Sequence, residues 1–113
     1  MILAMMAPAL AVDLPFPDGT YVTDPALCAL SPQERVAQHG DMVGAMVLNV
    51  KGEAIDNGYE SFCRVTRVRE SSNDIRADLA CSSEGEQFPV AWQLTRHDQT
   101  SFTIAGRTYR RCS

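Results

Sequence analysis

Residues 75–81 read Ile75-Arg76-Ala77-Asp78-Leu79-Ala80-Cys81, and their alternation decides the fold. Successive side chains of an extended chain point to opposite faces, so Ile75, Ala77, Leu79 and Cys81 line one side and Arg76, Asp78 and Ala80 the other. That is the pattern of a strand with one face on a core. The period recurs on both sides. Downstream, Phe88, Val90, Trp92 and Leu94 alternate against Ala91, Gln93 and Thr95, which makes Trp92 a core residue. Phe102 and Ile104 then lead through Ala105-Gly106 to a last strand over Thr108 to Cys112. Upstream, Val43 to Val50 reads as an apolar strand turning at Lys51-Gly52, and Ile55 to Arg69 as a strand bent at Asn57-Gly58. Turn signals fall at Ser71-Ser72-Asn73-Asp74 and around Gly85.

The first part of the chain differs. Val12 to Asp18 is an extended lead-in held off helix by Pro15 and Pro17. Gly19-Thr20-Tyr21-Val22 favours a strand. Asp24-Pro25 opens one helical turn, and Ser31-Pro32-Gln33-Glu34 is a capping box whose short helix ends near Gly40. The fold class is therefore mainly β: an antiparallel meander of five to eight strands forming a small barrel or sandwich, with one or two short N-terminal helical turns. Tyr21, Tyr59 and Tyr109 are expected at the barrel ends with their hydroxyls in water.

Residues 1–11 are apolar and end in Ala9-Leu10-Ala11, small side chains of the kind a signal peptidase accepts, so 1–11 reads as a signal peptide and 12–113 as one domain. Pro8 and Asp13 leave that run far short of the ~20 apolar residues that span a bilayer, so no stable membrane insertion is expected. Export to the periplasm or beyond makes Cys28, Cys63, Cys81 and Cys112 disulfide partners. Four cysteines allow three connectivities. Cys63 and Cys81 lie equidistant from Ser72, which permits a cross-strand bond between them. The preferred pairing is nevertheless Cys28–Cys63 with Cys81–Cys112, which ties the helical segment and the last strand to the central hairpin. No Cys-x-x-Cys or His-x-x-x-His spacing supports a metal, and no cofactor is expected.

Residues 12–62 hold two bases against eight acids, and residues 63–113 eight arginines against six acids, within a net charge of −4. In a barrel the two halves interleave, so mutual neutralisation is the simplest reading. Three sets of residues carry candidate function. The loop Ser82-Ser83-Glu84-Gly85-Glu86-Gln87 leaves a strand at a cysteine and offers a stiff projection for a binding partner. Arg107, Arg110 and Arg111, around Tyr109, suit an anionic ligand or glycan. Arg64, Arg67 and Arg69 share one face only if a bulge intervenes, and pairing with nearby acids is their plainer role. His97-Asp98 are adjacent residues that rarely point together, and no Gly-x-Ser-x-Gly elbow or His-Glu-x-x-His occurs, so no catalytic residue is assigned.

In size and strand patterning the chain is similar to the small exported bacterial β-barrel proteins that inhibit lysozyme, the membrane-bound and periplasmic C-type lysozyme inhibitors, and more distantly to periplasmic metalloprotease inhibitors. The ending Gly106-Arg107-Thr108-Tyr109-Arg110-Arg111-Cys112 resembles that of small exported proteins of Gram-negative bacteria. The resemblance implies an eight-stranded antiparallel barrel whose loop blocks an enzyme. The Ser-Gly-rich loop motif with Tyr and Lys that marks those inhibitors is absent here, Ser82-Ser83-Glu84-Gly85 being a poor stand-in, so no inhibitory residue is carried across. The expected function is that of a non-catalytic periplasmic binding protein, its partner a protein or glycan of the cell envelope rather than nucleic acid. A hydrolase inhibitor is the first reading; an anionic-ligand binder or a structural envelope component are the alternatives.

Overall fold

The computed structural model of the chain describes residues 11–59 and 61–113. The apolar N-terminal run, residues 1–10, lies outside the described residues, and with it most of the expected signal peptide. The described residues form a closed barrel of eight antiparallel strands in simple meander order. These are β1 (Gly19–Val22), β2 (Val47–Lys51), β3 (Ala54–Asp56), β4 (Ser61–Ser71), β5 (Asp74–Ser83), β6 (Glu86–Asp98), β7 (Ser101–Ile104) and β8 (Arg107–Arg111). β8 returns to β1 through Tyr21 opposite Arg111 and Val22 opposite Arg110, which closes the sheet.

The helical expectations hold. A 3₁₀ turn over Pro25–Ala29 starts at Asp24, whose carboxylate accepts the Ala26 amide at 2.9 Å. Helix α1 (Pro32–His39) carries the full capping box: Ser31 Oγ accepts the Glu34 amide at 3.1 Å and Glu34 accepts the Ser31 amide at 2.8 Å. Two strand boundaries need correction. Val43–Met46 is a single helical turn, α2, and the strand begins only at Val47. The Ala45 carbonyl there accepts the Tyr109 hydroxyl at 2.7 Å, and Val43 is buried with Val22, Leu27 and Val47, so tertiary contact selects helix for an apolar run that alone suits either. The expected strand Ile55 to Arg69 is two strands, β3 and β4, because the chain reverses after Asp56 and sets Asp56 opposite Phe62. Asp56 Oδ1 accepts the Gly58 amide at 2.8 Å and Asn57 Oδ1 the Tyr59 amide at 2.9 Å, the side-chain-to-backbone bonds by which Asx residues hold a turn.

Inside the barrel, Phe16, Tyr21, Phe102 and Tyr109 form an aromatic cluster in which Phe102 lies 4.5 Å from Phe16, 5.2 Å from Tyr21 and 5.7 Å from Tyr109, centroid to centroid. The two tyrosines are not placed as expected. Both are buried, and both satisfy their hydroxyls within the protein, Tyr21 on the Pro17 carbonyl at 2.6 Å and Tyr109 on Ala45. The lead-in segment is part of the core as well. Val12 donates its amide to the Val65 carbonyl, and Leu14 and Phe16 are buried, so residues 12–17 plug one barrel end. Arg96 closes over the plug, 5.3 Å from the Phe16 ring and paired with Glu70 at 2.8 Å.

The disulfides are Cys28–Cys112 and Cys63–Cys81, not Cys28–Cys63 and Cys81–Cys112. Register decides this. Cys63 and Cys81 are direct partners in the β4–β5 ladder, with Cα atoms 4.0 Å apart, so neither thiol can reach a third cysteine. Cys28–Cys112 then fastens the helical segment beside the β1–β8 seam, where the Cys112 amide donates to the Thr20 carbonyl.

Candidate functional site

β4, β5 and β6 are the three longest strands, and they outrun their neighbours. β7 pairs with β6 only from Leu94 to Asp98, so the described pairings leave Glu86 to Gln93 as an open edge. Pro89 sits in that edge, where the N–H it lacks is not needed to hold a neighbour. The hairpin end is tight. β5 and β6 stay paired up to Ser83 opposite Glu86, so the expected loop Ser82 to Gln87 contracts to the two residues Glu84-Gly85. Both take positive φ, 51° and 84°, the signature of a turn whose twist matches its strands; Gly85 bears this without cost. Of the residues singled out in the sequence, Ser82 and Ser83 are half-buried ladder residues, while Glu84, Gly85 and Glu86 are exposed at the tip.

Two phenylalanines flank this end. Phe62, opposite Ser82, is 46 % exposed, and Phe88, opposite Cys81, is 39 % exposed. On the outward face beside Phe62 runs an open groove of about 780 Å³, with Ala80, Pro89 and Ala91 among its lining and Arg64 at its side, while Phe88 projects from the opposite face. The short side chains of Ala80, Pro89 and Ala91 leave the sheet surface low there, and the Cys63–Cys81 bond crosses the ladder directly beneath it. Sequence reasoning overlooked Phe62, whose parity is opposite to that of the buried Cys63 and Val65 and was the available signal. Phe88 has core parity, yet β7 does not extend far enough to cover it. Trp92, nearer the closed section, does pack partly buried against the core.

The three C-terminal arginines do not form one cluster: Arg107 stands apart from Arg110 and Arg111. Arg111 donates from Nε to the Asp18 carbonyl at 2.8 Å and lies over Gly19, where a Cβ would come within 2.5 Å of that nitrogen. Arg110 and Arg111 both line a groove beside Cys28 and Cys112, Arg110 with Asp98 in its field, while Arg107 starts β8 at the far end and acts on Tyr109. His97 and Asp98 are separately engaged, His97 Nε2 with Thr103 Oγ1 at 2.6 Å and Asp98 with the Thr100 amide at 2.8 Å. That amide bond is the main reason the Asp98 carboxyl sits below its ordinary range. Among the described residues no group of His, Cys, Asp and Glu is arranged to hold a metal ion, no cysteine is free, and no helix is long and apolar enough to cross a membrane.

No family model, curated protein or solved structure matches the chain. The functional reading therefore rests on the hairpin end itself.

Proposed function

We propose that this chain is an exported, non-catalytic binding protein of the periplasm or cell envelope, which holds a protein partner with the end of the β5–β6 hairpin. The favoured partner is a hydrolase, lysozyme or a protease, whose cleft accepts the narrow tip. One observation carries the reading: exposed Phe62 borders an open groove on one face, and exposed Phe88 lies on the other face, of a hairpin end that a disulfide stiffens. Exposed aromatics beside a polar rim, here Glu84, Glu86 and Gln87, are the usual composition of an energetic centre in protein interfaces. A short turn on a rigid ladder loses little conformational entropy on binding. Two disulfides also suit an oxidising compartment. The alternative, an anionic ligand at Arg107, Arg110 and Arg111, draws less support because Arg107 lies outside the groove that the other two line and Arg111 already donates to the Asp18 carbonyl.

The test is turnover of a panel of lysozymes and proteases with stoichiometric protein. Inhibition of at least one member is expected, weakened tenfold or more by Phe62→Ala or Phe88→Ala, since truncating an interface anchor costs about 2 kcal/mol or more. Unchanged turnover across the panel overturns the inhibitory reading.

A further inference from the structure

The outer face of the β4–β5 ladder gathers three guanidiniums, those of Arg67, Arg69 and Arg76, that outnumber the acid beside them. The bulge between Val65 and Arg67 resets the side-chain parity, so Arg64, Arg67 and Arg69 all face outward, which plain alternation forbids. Arg67 then stands opposite Asp78, and Arg69 directly opposite Arg76. Like charges facing each other across a ladder repel. The ion pairs among the described residues join Arg64 to Glu53 at 3.8 Å and Arg96 to Glu70 at 2.8 Å, and neither reaches Arg67, Arg69 or Arg76. These three and Asp78 line a depression of about 130 Å³.

We propose that this depression is a binding site for one tetrahedral oxyanion, a phosphate or sulfate group, presented free or as an ester on an anionic sugar. Its volume accommodates such a group. A guanidinium donates two parallel N–H groups to two oxygens of an oxyanion, and three of them around one small space serve a dianion. Asp78 offsets one positive charge and leaves the site at +2. An anion between Arg69 and Arg76 turns their repulsion into shared attraction, so binding and stability rise together. The site lies toward the Ser71–Asp74 end of the sheet, Arg76 eight residues or roughly 25 Å along the chain from Glu84 at the hairpin tip, and adjoins the groove beside Phe62 through Asp78, which lines both.

Thermal unfolding at fixed ionic strength tests it, with chloride replaced by inorganic phosphate or sulfate. At about ten times Kd, phosphate is expected to raise Tm on the order of 5–10 °C where chloride does nothing. Arg69→Gln with Arg76→Gln is expected to abolish the rise, Asp78→Asn to enlarge it, and Arg107→Gln with Arg110→Gln to leave it intact. Should the double variant not fold, Arg76→Gln alone is titrated calorimetrically, and at least fivefold weaker phosphate binding is expected. A rise from glucose 6-phosphate, with glucose silent, assigns an ester as an acceptable source; a rise from inorganic phosphate alone assigns the free ion. An equal rise from chloride, no rise from phosphate or sulfate, or a rise that survives loss of both arginines overturns the site.

Discussion

The Tyr109 hydroxyl on β8 donates to the Ala45 carbonyl in α2 at 2.7 Å, across 64 residues of chain. This bond joins the last strand of the barrel to the helical cover and holds α2 against β8. Because the phenol is buried, its hydroxyl has no solvent partner to fall back on.

Tyr109→Phe keeps the ring packed on Phe102 and removes only the hydroxyl, stranding the Ala45 carbonyl. A loss of about 1–2 kcal/mol is expected by urea unfolding, with an unchanged m-value. A neutral result means that the carbonyl finds water instead.

Alkaline pH acts through the same ring and through Tyr21. Burial pushes both phenols above their ordinary value of 10.0, with Arg111 pulling Tyr21 partly back and Arg107 doing the same for Tyr109. The folded chain thus keeps these protons where the unfolded chain loses them. Their contribution is intact below about pH 10 and falls as pH rises through the higher folded values. Phenolate absorbance from these two rings should therefore emerge together with unfolding. Tyr21→Phe should flatten the decline of Tm between pH 9.5 and 11 (roughly the window set by ordinary tyrosine titration).

The two disulfides are expected to act differently. Cys28–Cys112 spans 84 residues, and its replacement by Ala pairs costs about 4.5 kcal/mol by loop entropy. Cys63–Cys81 spans 18 residues and costs about 3 kcal/mol. Hydrogen exchange should place the first loss at the β1–β8 seam and the second in the β4–β5 ladder near Phe62. Uniform loss of protection in both variants contradicts this division.

The plug is expected to be structural. Phe16→Ala empties the space against Phe102 and Tyr21 and leaves Arg96 without its ring, for a loss of about 3–5 kcal/mol. A loss below about 1 kcal/mol, read by the same urea titration, contradicts a core role for residues 12–17.

The sequence by itself determined what depends on neighbours along the chain. The period-two run Ile75 to Cys81, the positive-φ turns at Gly85 and Gly106 and the Ser31–Glu34 capping box are set within a few residues, and each occurs where it was read. It also placed Cys63 and Cys81 symmetrically about Ser72; the entropy argument for a longer link was outweighed by a register that leaves their thiols no other partner. What only the tertiary structure decided needs contacts between distant segments. Helix at Val43–Met46 follows from Tyr109 and the Val22–Leu27 cluster, and burial of both tyrosines from closure of β8 on β1. Exposure of Phe88 follows from where β7 stops, and the gathering of Arg67, Arg69 and Arg76 from one bulge at Thr66. Alternation assigns each side chain a face, but only closure of the sheet settles which faces are covered.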